Sequence, residues 1–127
     1  MERRLRLRAE SDFAHVRAEG RAWRDRLMTM LIVPNGGPSN RYGFVVSKRV
    51  GNAVTRNLAK RRLREILRQL DRAERLATGY DCVIIVRPGL ALIPFAELSA
   101  AVQALLKRAR LLLPVPTPPS SHAKPQG

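Results

Sequence analysis

The hydrophobic positions switch between two periods along this chain, and the switches mark out its elements. Ala59, Leu63, Ile66, Leu67 and Leu70 recur at the three- and four-residue spacing of one helix face. Phe95, Leu98, Val102, Leu105, Leu106, Ala109 and Leu112 repeat that pattern in a final helix, which is expected to begin near Pro94, a residue suited to the first helical position. Between the helical stretches lie short apolar runs. Residues 26–33, RLMTMLIV, bounded by Pro34, predict a strand covered at least partly on both faces. Residues 80–87, YDCVIIVR, are apolar throughout their middle and predict the central strand. After a loop at residues 35–40, Tyr42 to Lys48 predicts a strand returning antiparallel, with Phe44 and Val46 on one face and Gly43, Val45 and Ser47 on the other. That second face is small enough to floor a groove. Near the start, Ser11 is placed to cap a short helix carrying Phe13, Val16 and Arg17, which Gly20 ends. Residues 71–75 extend the long helix with mixed charge until Gly79, as a solvated segment.

The polar positions of the long helix are as ordered as the apolar ones. At about 100° per residue, Asn57, Lys60, Arg61, Arg64 and Arg68 form a stripe beside the apolar face. Like charges four apart cost a few tenths of a kcal/mol per pair, and Glu65 is the one acid inside the cluster to relieve them. A charged helix face is ordinarily just solvated. Aligned cations with almost no interleaved acid favour a polyanion instead. Just upstream, Gly51 allows a sharp turn after the strand, and Asn52 or Thr55 supplies the helix cap.

Composition narrows the partner. The 127 residues carry 24 Lys and Arg against 10 Asp and Glu, a net charge of +14, and the isoelectric point near 11.6 calls for a strongly anionic ligand. The length suits one domain at residues 11–113, with a basic arm at 1–10 and a proline-rich tail at 114–127 that is expected to be disordered. No apolar run approaches the roughly 20 residues of a membrane span, and the Arg-rich start is followed by no apolar secretory region, so a cytoplasmic location is expected. Cys82 is the only cysteine and sits in an apolar run, while His15 and His122 are too far apart for a metal pair. The ten acids are dispersed, and no phosphate-cradling loop, dinucleotide fingerprint, nucleophile triad or zinc spacing is present. Alone, the chain is expected to catalyse nothing and to bind no cofactor.

The stretch Lys48-Arg49-Val50-Gly51-Asn52-Ala53-Val54-Thr55-Arg56-Asn57-Leu58-Ala59-Lys60-Arg61, followed by Arg64, resembles the signature of the bacterial ribonuclease P protein subunit. Arg56, Asn57, Lys60, Arg61 and Arg64 match position for position; Leu58 stands where the family usually has a second arginine, and neighbouring Arg62 is a partial replacement. The similarity extends more weakly from about Leu5 to about Leu112. It implies an α+β fold of the order α-β-β-β-α-β-α, with a four-stranded mixed sheet of the kind seen in the second domain of ribosomal protein S5. It also implies that the basic helix forms a left-handed crossover between parallel strands, although sequence physics alone favours the right-handed form. By resemblance, Lys48, Arg49, Asn52, Arg56, Asn57, Lys60, Arg61, Arg62, Arg64 and Arg68 bind the catalytic RNA of the holoenzyme. The same resemblance makes Phe13, Arg17, Leu31, Val45 and Ser47 the cleft for the single-stranded 5′ leader of precursor tRNA. Arg17 and Leu31 occupy positions where the family often has aromatics, so base stacking at about 1–3 kcal/mol per base rests on Phe13, on Arg17 stacking through its guanidinium, or on Trp23 as a substitute. Hydrolysis belongs to the RNA and its Mg2+; the protein's partners are that RNA and precursor tRNA, with no DNA or membrane expected.

Composition alone leaves two rivals. A ribosomal-type RNA binder has the same size and charge, and the motif at residues 48–64 is what separates the two readings. A basic membrane-surface binder ranks last, since such a helix needs a wider apolar face opposite its cations.

Overall fold

The computed structural model describes residues 10–115; the basic arm before them and the tail from residue 116 lie outside the described residues. Three helices and four strands follow in the order α1 (Glu10–Glu19), β1 (Arg21–Arg24), β2 (Met28–Pro34), β3 (Arg41–Val45), α2 (Ala53–Arg72), β4 (Tyr80–Val86) and α3 (Phe95–Arg108). This is the expected α+β order. The strands form one mixed sheet in the order β1-β2-β4-β3, with β4 antiparallel to β2 and parallel to β3.

The expected antiparallel return after β2 takes a different form. β3 does run opposite to β2, but β4 is inserted between them, so the two strands joined by the 35–40 loop never pair. Side chains in that loop explain how. Asn40 donates to the Ala77 carbonyl (2.6 Å) and accepts from the Tyr80 amide (2.9 Å), while the Asn35 amide donates to the Gly79 carbonyl (2.8 Å). The two asparagines bracket the entry of β4 and seat it between its neighbours. β4 is apolar on both faces, so the central position covers it best; β3, with Arg41 and Gly43, tolerates the edge.

The two faces of the sheet are unequal. On one, Met30, Ile84 and Phe44 align across the strands with Trp23, and α2 and α3 pack over them. The buried residues of α2 are Ala59, Leu63, Ile66, Leu67 and Leu70, the expected set. On the other face α1 covers a smaller cluster of Val16, Val33 and Val83, against which Phe13, Leu31, Val45 and Ile85 are only half-buried. Cys82 lies in the larger core, where burial pushes its thiol pKa up to about 12.

Several boundaries move. The strand β1 has no clear pattern in its RAWR sequence and was not anticipated at that place; it exists because β2 offers it an edge. The strand expected at 26–33 begins at Met28, since Asp25 turns the chain by accepting from the Leu27 and Met28 amides. Ser11 lies inside α1, so it is not its cap, whereas Gly20 ends the helix as expected, with its amide donating to the Val16 carbonyl at 2.8 Å. α2 stops at Arg72, well before Gly79, in a turn where Glu74 adopts φ 56°. The segment beyond is not merely solvated, because Leu76 is buried and bridges to Leu112. That bridge also places Leu112 beyond α3, and Pro94 is the residue before the helix, not its first.

Candidate nucleic-acid interface

The path from β3 into α2 is built by caps. Ser47 accepts from the Arg49 amide (3.3 Å) and opens a short 3-10 turn at Lys48–Val50. Gly51 follows at φ 150°, where an added Cβ would fall 2.9 Å from that of Thr55. Asn52 then caps α2, its side-chain oxygen accepting from the Thr55 amide at 2.9 Å. No acid occupies the first turn of α2, so the partial positive charge of the helix start adds to Lys48, Arg49 and Arg56.

Along α2 the cations divide by what else they touch. Lys48, Arg49 and Arg61 are exposed and Lys60 half-buried, and among the described residues the side chains of these four make no hydrogen bond or ion pair. Arg56 donates to the Gly51 carbonyl at 3.2 Å, which holds its guanidinium beside the helix start. Arg64 lies over the Phe44 ring, 5.5 Å from its centroid, and so leans towards the β3 edge. Arg68 is differently placed: Glu65 accepts from its Nε at 3.0 Å and from a terminal nitrogen as well, and these bonds hold the Glu65 carboxyl below the usual carboxylate range. The stripe is therefore strongest between residues 56 and 64.

Arg62 is not a replacement for the arginine absent at position 58. Its guanidinium donates to the carbonyls of Ala91 (2.8 Å) and Ile93 (2.7 Å) and lies over the Phe95 ring. It clips α2 to the segment that leads into α3, on the flank away from β3. Phe95, expected in the core, stays partly exposed beneath it.

The expected groove maps to the other face. There Phe13 from α1, Leu31 from β2, Ile85 from β4 and Val45 from β3 lie half-buried against Val16, Val33 and Val83, with Val45 paired to Ile85 across the parallel ladder. Arg17 is exposed on α1 and Ser47 exposed beyond the end of β3. Trp23 cannot substitute for the missing aromatics, because it pairs with Met30 and packs on the opposite face of the sheet. Ile85 belongs to this floor and was not singled out in advance, although alternation along the apolar run from Tyr80 places it opposite Ile84. A polar network anchors the wall: buried Asp81 accepts from Arg41 at 3.0 and 2.7 Å and from Asn35 at 2.8 Å, and Arg41 reaches Asp12 of α1 at 3.6 Å. Burial pushes the Asp81 carboxyl up, but the bonds from Arg41 and then Asn35 outweigh it and leave its pKa below the ordinary value.

Groove and stripe meet at the β3 edge. Val45 closes the groove, and the chain turns through Lys48–Val50 directly into the basic start of α2. Among the described residues no three His, Cys, Asp or Glu side chains gather as a metal site, and no helix is long and apolar enough to cross a membrane.

Comparison with known proteins gives one answer. The family profile for Ribonuclease P matches residues 1–110. The ribonuclease P protein component of Roseiflexus castenholzii is 44% identical over 110 residues, covering 86% of this chain and 88% of its own. Among solved structures, the RNase P protein of Thermotoga maritima superposes with a TM-score of 0.73 at 33% identity, over 81% of this chain and 96% of its own. That of Staphylococcus aureus gives 0.76 at 25% identity, over 84% and 96%.

Proposed function

This chain belongs to the ribonuclease P protein family, and on that premise we propose that it is the non-catalytic subunit of a ribonucleoprotein endonuclease that removes the 5′ leader of precursor tRNA. Lys48, Arg49, Arg56, Asn57, Lys60, Arg61 and Arg64 lie against the phosphates of the catalytic RNA. The groove of Phe13, Leu31, Val45 and Ile85 takes the single-stranded leader, with Phe13 as its one aromatic platform and Arg17 at its rim. The observation that carries this reading is the junction at the β3 edge, where the half-open apolar face runs into Lys48, Arg49, Lys60 and Arg61, whose side chains make no ion pair among the described residues. One protein can thereby hold leader and catalytic RNA together, and so prefer precursor over mature tRNA.

The hydrolytic Mg2+ belongs to the RNA in this reading, as the likeness to the ribonuclease P family implies. What the protein supplies is neutralisation. About four to six engaged phosphates give a log–log salt slope of roughly −3 to −5 and lower the Mg2+ needed for activity. The reading implies a cytoplasmic location, where both nucleic acid partners act.

The test is cleavage of a precursor tRNA by a bacterial ribonuclease P RNA at low Mg2+, with and without the protein, beside a protein-only control. Cleavage at the mature 5′ end only when both components are present is the expected result. Tight, salt-sensitive RNA binding without stimulation across several RNA types would sink the reading in favour of a ribosomal-type binder.

A further inference from the structure

A second pocket lies at the opposite edge of the sheet, where β1 meets the end of α3, and is lined by Arg21, Trp23, Tyr80, Arg108 and Arg110 among others. No acid lines it. The Arg21 guanidinium lies over the Trp23 ring at 5.2 Å, and Arg108 donates to the Arg24 carbonyl at 3.2 Å, which docks the end of α3 on β1. α3 ends in a reverse turn in which the Leu111 amide donates to Leu106 and the Arg110 amide to Lys107. Arg110 thereby takes φ 64°, a left-handed position that glycine fills with less strain. Glu74 takes the same position at the end of α2, so this backbone alone marks no site. What marks this one is that the turn brings a third arginine to the lining of a pocket that Arg21 and Arg108 already line, together with Trp23 and Tyr80.

We propose that this pocket binds a single-stranded segment of RNA, with one base against Trp23 and Tyr80 and the flanking phosphates on Arg21, Arg108 and Arg110. Aromatic surfaces accept any base, and guanidinium groups take phosphates without reading sequence. The site is separate from the groove and the α2 stripe, which both lie at the β3 edge. It would hold RNA whether or not those two perform as proposed.

Trp23 is the only tryptophan in the chain, so its fluorescence reports this pocket directly. The full-length protein is titrated with hexauridylate, with uridine monophosphate and inorganic phosphate as separate arms. Hexauridylate is expected to change Trp23 emission saturably, and the monophosphate only weakly. Arg108→Ala combined with Arg110→Gly should weaken that response about tenfold and reduce the magnitude of its log–log salt slope by about 1.4, at roughly 0.7 per lost single-strand contact. Lys60→Ala combined with Arg61→Ala should leave the Trp23-reported affinity within about twofold. Two single variants separate binding from folding. Arg110→Gly should raise the melting temperature yet weaken the response, whereas Glu74→Gly should raise it and leave the response unchanged. The proposal is overturned by hexauridylate binding that leaves Trp23 emission unmoved, or by no binding at all. An equal effect of phosphate alone, full affinity in the Arg108/Arg110 variant, or loss of the response in the Lys60/Arg61 variant would overturn it as well. None of these outcomes bears on the precursor tRNA cleavage test.

Discussion

The two faces of the sheet use the same strands for opposite ends. Under α2 and α3 the side chains are fully buried and continuous, from Met28 and Ile84 to Leu63, Leu98 and Leu105. Under α1 the buried apolar cluster is Val16, Val33 and Val83, and the apolar side chains around them stay half open. Stability is concentrated on one face, which leaves the other free to keep a groove. A sheet packed equally on both sides would have no such groove.

Truncation should expose the asymmetry most strongly. Leu63→Ala, at a fully buried site, should destabilise the protein by about 2–5 kcal/mol, and Ile85→Ala, in the half-open floor, by about half as much or less, both measured by denaturant unfolding. Equal losses would mean the groove face carries as much of the fold as the core.

Asp81 comes next, because it ties the groove face together through Arg41 and Asn35. Asp81→Asn should cost about 2 kcal/mol near neutral pH. The folded carboxyl sits below its ordinary value of 3.8, so its contribution is complete above that pH and is lost as pH falls through the lower folded value. Unfolding free energies of the two proteins, measured by denaturant at successive pH values, should therefore converge as the pH drops below about 4.

Function should divide along the same line. Phe13→Ala should remove about 1–3 kcal/mol of leader binding, seen as a smaller preference for precursor over mature tRNA, while affinity for the catalytic RNA holds. Lys60→Ala and Arg61→Ala should do the reverse, each lowering the salt slope for the catalytic RNA by about 1 and leaving the melting temperature within about 2 °C. The smallest effect belongs to Leu58→Arg. Its position faces the flank where Arg62 is already committed to Ala91 and Ile93, so the added cation should tighten RNA binding only about two- to fivefold. A tenfold gain would show that the flank facing α3 also meets RNA.

Much of this was legible in advance for a plain reason. The apolar face of α2, a cap at Asn52 or Thr55, the turn at Gly51 and the alternation of β3 each depend on neighbours within a few residues, and local spacing reports local structure; the structure chose Asn52. The free cations at 60 and 61 follow from the same helical period. The fate of Arg62 does not, since its partners are the carbonyls of Ala91 and Ile93, about thirty positions away, which no periodicity registers. Trp23 was misplaced for a related reason: β1 takes its register, and so its face, from β2.

By itself the sequence determined that a basic α+β chain would present aligned cations on one helix, because charge and period are properties of the chain. Only the tertiary structure decided which cations remain available, which strand lies between β2 and β3, and where the groove opens. Those outcomes depend on side chains such as Asn35, Asn40, Arg41 and Arg62 meeting partners far along the chain. A buried carboxylate or carbonyl chooses its partner by position in space, and that position exists only once the sheet has formed.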